Sequence, residues 1–280
     1  MGISVFHLYR NTPLGRENLL QSVYLCDRLG DATLYLYSPQ VTQAIVYFDD
    51  GPVTIMLDGS YLFNKETAAR EAQRVCEAGG IRYEHFQPDS FTARMLADIP
   101  ADWSLIACPR VISDSSSRIG LGRLGPKVRA IVKASRCPVF IPCGAYKPWK
   151  SVTAFFGGSD VGLRAAQLGS DLAERTGMPL TLVTQVMGRE HADQCHRILN
   201  DAGLSERIDR TDSWSWLRFE SGTLEEHLMS VPHDSLVVVG AAGDSLIREL
   251  VFGSKLELIQ TKLPNPIMVV GPHCDRRLLW

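Results

Sequence analysis

The chain contains an internal duplication, visible when the stretch before each apolar run is laid against its counterpart. Ile99-Pro100-Ala101-Asp102-Trp103-Ser104-Leu105-Ile106 reads against Val231-Pro232-His233-Asp234-Ser235-Leu236-Val237, with one extra residue in the first copy. Further on, Ser135-Arg136-Cys137-Pro138-Val139-Phe140-Ile141-Pro142 reads against Leu263-Pro264-Asn265-Pro266-Ile267-Met268-Val269-Val270. Each copy is therefore about 140 residues, a size at which a domain holds its own core.

Within each copy, strand-like runs alternate with helix-like ones, as βαβ units around a parallel sheet require. In the first copy the strands are expected at 3–9, 32–37, 81–86, 104–108 and 139–141. In the second they are expected at 151–156, 180–186, 214–220, 235–240 and 267–270. Helical spacing gathers Ala68, Ala69, Ala72, Val75 and Cys76 on one face before Gly79-Gly80, and Ala166, Gly169, Ala173 and Thr176 on another before Gly177. Both stripes are read as core faces. Gly144, Pro148 and the residues up to Lys150 interrupt both patterns and form the linker, giving domains at 1–146 and 147–280. The copies diverge most over residues 38–60, which are read as extra strands or a loop. Asp58-Gly59-Ser60 within them is read as a turn and cap.

Composition excludes several classes. Hydrophobic residues make up 45% and charged residues 21%, so there is enough apolar surface to offset chain entropy and no basis for wholesale disorder. A net charge of −2 gives no field to gather polyanions, which argues against nucleic acid as a partner. No apolar run approaches the roughly 20 residues of a membrane helix, and Met1-Gly2-Ile3-Ser4-Val5-Phe6 lacks a basic leader, so a cytoplasmic location is expected. Seven cysteines with no CxxC pair read as buried reduced thiols rather than a disulfide or zinc framework. His191 and His196, five apart on one helix, face different sides, so no metal site is expected.

One segment carries chemistry. The apolar strand Leu236-Val237-Val238-Val239 runs into Gly240-Ala241-Ala242-Gly243, then nine residues, then Gly253-Ser254 and a helix. Glycines let backbone N–H groups approach an anion, and a helix N-terminus adds unpaired donors and a positive dipole end. The loop also lies at the carboxyl end of a strand, where open α/β sheets bind ligands.

The spacing Gly240-x2-Gly243-x9-Gly253-Ser254, between a strand and the last helix of a five-stranded α/β unit, resembles the ATP-binding motif of the universal stress protein family. The resemblance extends over most of both copies. It implies two tandem five-stranded Rossmann-like domains, strand order 3-2-1-4-5 in each, packed as an intramolecular pseudo-dimer. Since an open edge strand invites intermolecular pairing that a tandem chain can close internally, the copies are expected to pair through their last strands, 139–141 and 267–270. The resemblance also implies ATP, alone or with Mg, as the ligand, with Gly240, Gly243, Gly253 and Ser254 at ribose and phosphates and Val186 against adenine. Gly157 stands where the family carries an acid near adenine. Without that carboxylate, ATP and GTP are expected to bind within about tenfold, roughly 1.4 kcal/mol, of each other.

The residues themselves allow a second account of this segment. Ser254-x-x-Glu257 is also a capping box, in which the serine serves only the helix start. Lys255 and Arg248 read either as phosphate neutralisers or as a solvated face. In the first copy Pro109 replaces the first glycine and supplies no N–H, and only Gly125 keeps its place, followed by Pro126, so that loop is degenerate. Gly120-Leu121-Gly122-Arg123-Leu124-Gly125 matches a dinucleotide pattern but lies well past its strand. Seven basic residues between Arg110 and Arg136, against Asp114 alone, read as a solvated face or an acidic-partner surface.

No nucleophile elbow, Walker lysine or carboxylate pair stands out. The expected function is a cytoplasmic universal stress protein that binds ATP or a related nucleotide in its second domain and acts through protein partners. A slow nucleotide hydrolase or adenylate-forming enzyme on the same fold is one alternative. A pure interaction module with both sites vestigial is the other.

Overall fold

Apolar strands form in both halves of the chain where their side chains are shielded on both faces. The structure is a computed structural model. It describes residues 2–38, 43–48, 51–56, 65–87, 97–99, 102–110, 112, 124–241 and 262–275. The first half runs β1 (Ile3–Leu8), α1 (Pro13–Leu29), β2 (Ala32–Tyr37), β3 (Gln43–Phe48), β4 (Gly51–Met56), α2 (Lys65–Ala78), β5 (Arg82–Phe86), β6 (Ala97–Ile99), β7 (Leu105–Ala107), α3 (Pro126–Ala134) and β8 (Val139–Ile141). The second runs β9 (Ser151–Phe155), α4 (Asp160–Thr176), β10 (Leu180–Gln185), α5 (Arg189–Asp201), α6 (Leu204–Arg210), β11 (Trp214–Phe219), α7 (Leu224–Leu228), β12 (Ser235–Gly240) and β13 (Ile267–Val270).

The chain divides into two compact units between Pro148 and Trp149, inside the linker read from the sequence. The described tail residues His273–Asp275 belong with the first unit. A backbone bond explains their placement: the Asp275 N–H donates to the Arg136 carbonyl at 2.7 Å.

In the first unit β1 pairs in parallel with β2 and β7, β5 pairs with β2, and β8 pairs with β7. In the second, β9 pairs in parallel with β10 and β12, β11 pairs with β10, and β13 pairs with β12. Central parallel strands are covered on both faces, so they read as unbroken apolar runs. Leu236, Val237, Val238 and Val239 of β12 and all of β13 are buried, each such side chain contributing about 1.5–3 kcal/mol.

The helices begin and end at chemical signals. Thr12 accepts from Gly15 N to cap α1, with Pro13 in its first turn, and Ser159 accepts from Gly162 N to cap α4. Gly177, at φ 65°, ends α4 in the left-handed conformation. Ala166, Gly169 and Ala173 of α4 and Ala68, Ala72, Val75 and Cys76 of α2 are buried, while Thr176 and Ala69 are half-buried. All seven cysteines are buried and none is in a disulfide, and burial pushes the thiols of Cys76, Cys108 and Cys137 up to about 12.

Residues 38–60, the divergent stretch, hold extra strands. β3 and β4 form an antiparallel pair, Gln43 opposite Met56 and Phe48 opposite Gly51. β6 adds to β3 in parallel, giving the small sheet β4-β3-β6. Pro52 is tolerated because β4 is an edge strand of that sheet. Asp58-Gly59-Ser60 lies outside the described residues. Four strands, β1, β9, β10 and β11, end one residue before the sequence pattern places their ends, and β5 begins one residue late. β7 is one shorter at each end, the usual fraying of terminal pairs.

Candidate functional site

The second unit has a topological switch point. From β9 the chain steps to β10 and β11 on one side, then crosses to β12 and β13 on the other. Crossover helices diverge above the carboxyl end of β9 and leave a crevice there. A cavity of about 70 Å³ occupies this position, lined from β9 by Phe155, from β10 by Val183 and Gln185, and from β12 by Val239 and Gly240. Phe156, Gly157, Ser159 and Gly162 line it from the start of α4, and Met187, His191, Phe219, Leu224 and His227 close the far side. Its volume corresponds to about five water positions. None of these residues is charged.

Of the site residues expected from sequence, the structure brings Gly240 and Gly157 to this cavity. Gly243, Gly253 and Ser254, with Arg248, Lys255 and Glu257, lie outside the described residues. Val186 is buried but does not line the cavity, whereas Val183, Gln185 and Met187 do. Strand alternation is the cause: side chains two apart share a face, so the residues flanking Val186 point to the cavity side.

Gly240 is required by packing as well as by any ligand. A Cβ there would lie 2.8 Å from the carbonyl carbon and oxygen of Val161 and 3.0 Å from Gly162 N, so β12 meets the first turn of α4 backbone to backbone. Gly157 precedes Gly158, which adopts φ 79°, while Gly157 itself is not left-handed. The Gly157 backbone conformation is therefore one that an L residue can adopt. Asp160 in the first turn of α4 opposes an anion at that helix end.

Two histidines were not singled out as site residues by the sequence. His191 Nδ1 accepts the Met187 N–H at 3.2 Å, so its proton sits on Nε2, which donates to the Gly157 carbonyl at 3.3 Å. This ties the start of α5 to the turn before α4. Cys195 Sγ lies 3.7 Å from the same Nε2, and burial pushes its thiol up to about 11. A nitrogen that already carries its proton cannot deprotonate a thiol held in the neutral form, so this pair is not an activated nucleophile.

His227 is placed by its own short helix. Thr223 and Glu226 form a reciprocal capping box, and the Thr223 N–H donating to the Glu226 carboxylate at 2.7 Å holds that carboxyl below its usual range. The His227 ring stacks flat on Phe219, 4.0 Å between centroids and 8° between planes. Gly222, at φ 88°, leaves room for the imidazole: a Cβ there would lie 2.9 Å from His227 Nε2. No local pattern marks these histidines, because α5 and α7 meet at the cavity only through the crossovers.

In the first unit the corresponding loop start is closed off. Gly125 precedes α3 with Pro126 in its first turn, and its N–H is spent on the Arg110 carbonyl at 2.9 Å. That donor is not available to an anion.

The second unit is thus a parallel α/β unit with a cavity at its switch point whose described lining is uncharged, and a glycine at the strand end beside it. Solved structures extend this description. A universal stress protein from Archaeoglobus fulgidus DSM 4304 is similar over 96% of this chain and 98% of its own, with 18% identity and a TM-score of 0.61. A functionally unknown protein from Pseudomonas aeruginosa PAO1 matches over 99% and 94%, with 11% identity and a TM-score of 0.56. The cytoplasmic domain of a prokaryotic cation chloride cotransporter matches over 99% of each chain, with 8% identity and a TM-score of 0.53. No protein-family model and no curated protein sequence matches the chain. The chain has the Rossmann-like α/β fold of the universal stress proteins. That fold also serves as a transporter domain, so function has to be argued from the site. Among the described residues no helix is long and apolar enough to cross a membrane.

Proposed function

We propose that the chain is a tandem universal stress protein that binds ATP or a related nucleotide in its second domain and acts in a stress response through protein partners. On this reading residues 1–146 and 147–280 are each one universal-stress-like domain, strand order 3-2-1-4-5 within the copy, and the protein works in the cytoplasm. The observation that carries the proposal is the position of Gly240. It ends β12 at the switch point and leads directly into the glycine loop, beside a cavity whose described lining is uncharged. A nucleotide divides between the two: an apolar, aromatic wall suits a base, and backbone N–H groups of a glycine loop suit phosphates. Since packing already demands glycine at Gly240, the residue whose glycine identity tests ligand binding is Gly243.

The test is calorimetric titration of ATP, with and without Mg, into the full chain. One site per chain is expected. Gly243→Val is expected to weaken binding at least a hundredfold, because a branched Cβ occupies the space the phosphates need. Two equivalent sites, or neither heat nor a thermal shift at millimolar ATP, overturns the proposal. A Gly243→Val chain that binds ATP as the parent does shows that the loop is not the site.

A further inference from the structure

We infer that His227 reads the base of the bound nucleotide and requires that base to present an N–H donor; this rests on the nucleotide reading of the second domain. His227 is 7% exposed and lines the cavity. Its Nε2 lies 2.7 Å from the Ser221 carbonyl oxygen, and since a carbonyl only accepts, Nε2 carries the ring proton. Nδ1 is then a bare acceptor. It is buried and has no hydrogen-bond partner among the described residues. A buried acceptor without a donor is costly, so a ligand in the cavity whose N–H reaches Nδ1 through the wall this ring forms is favoured over one that offers no donor.

The surroundings narrow the donor. The imidazole cannot swing away, being stacked on Phe219 and tethered to Ser221. His191, the other imidazole in the wall, commits both nitrogens to Met187 and Gly157 within the protein. Among the described residues the cavity wall carries no charged side chain to attract an ammonium or a carboxylate. A flat heterocycle with N–H on its edge fits this chemistry, as the 6-amino group of adenine or the 2-amino and N1–H groups of guanine. Adenine offers the donor at its 6-amino group and guanine at N1–H or its 2-amino group, once shifted in its plane so that O6 does not face Nδ1, and Gly157 brings no carboxylate to choose between them.

The experiment compares three triphosphates by competition titration on the full chain: ATP, GTP and purine riboside triphosphate, which keeps the ring and phosphates of ATP but has no amino group and no ring N–H. Purine riboside triphosphate is expected to bind at least tenfold more weakly than ATP, with GTP within tenfold of ATP. In His227→Phe, which keeps an aromatic ring on Phe219, the difference between ATP and purine riboside triphosphate is expected to vanish while tripolyphosphate affinity stays unchanged. Histidine-labelled parent chain gives a readout that needs no variant. The Nδ1 nitrogen resonance of His227 is expected to move with ATP and to stay with purine riboside triphosphate. Equal affinities of the parent for ATP and purine riboside triphosphate overturn this inference and leave nucleotide binding standing. No binding of any triphosphate overturns both readings.

Discussion

Gly240→Val is expected to cost the second unit about 3 kcal/mol or more of stability, whatever the chain binds. The side chain would start 2.8 Å from two backbone atoms of Val161 and 3.0 Å from the backbone nitrogen of Gly162. A flexible side chain at such a distance could step aside, but these atoms belong to the capped first turn of α4. Relief requires β12 to separate from α4, and β12 is buried from Ser235 to Val239. A 3 kcal/mol loss in a unit of this size lowers its melting temperature by about 10 °C. Urea unfolding followed by circular dichroism, without nucleotide, measures it. A variant that unfolds at the parent's midpoint would show that the strand and helix do not approach so closely in solution. Gly243→Val, by contrast, is expected to act on binding, so the two glycines of one motif separate into a packing residue and a ligand residue.

Much of the fold is legible because parallel strands buried on both faces leave an unmistakable apolar run. β12, β13, β2 and β8 fall where Leu236–Val239, Ile267–Val270, Ala32–Tyr37 and Val139–Ile141 place them. Helix stripes such as Ala166, Gly169 and Ala173 read equally well, since helical spacing brings them to the sheet. The small sheet β4-β3-β6 is only half legible: Pro52 and Gly51 look like punctuation, and only pairing partners show that one edge strand tolerates them. The site divides in the same way. Gly240 and Gly157 announce themselves through spacing along the chain. His191 and His227 do not, because what brings them together is the crossover geometry of α5 and α7. The Val186 assignment depends on which face of β10 turns to the crevice, and the alternation of Val183, Gln185 and Met187 decides that.

Acid is expected to destabilise the first unit well above the pH at which carboxylates titrate, through one side chain. His7, on β1, is 1% exposed, its Nδ1 sits 2.9 Å from Ser22 Oγ, and its Nε2 has no partner among the described residues. Burial lowers its pKa from 6.5 to about 3. An imidazolium there would lack both water and a counter-charge, so the native state holds the neutral ring. The unfolded chain carries an ordinary histidine that takes up a proton below pH 6.5. In that range the unfolded state binds more protons than the native one, and stability rises with pH. The contribution of neutral His7 is therefore complete above pH 6.5 and is lost progressively as the pH falls toward 3. At about 1.4 kcal/mol per pH unit, the loss approaches about 5 kcal/mol across the whole interval and about 2 kcal/mol by pH 5. His7→Gln keeps a polar group beside Ser22 and removes the titration. Urea midpoints of parent and variant between pH 7 and pH 5 isolate the effect, because the other histidines are common to both chains. The parent is expected to lose about 2 kcal/mol more than the variant over that range. Parallel pH profiles would show that His7 is protonated in the folded chain, and that water or a neighbouring group reaches its Nε2.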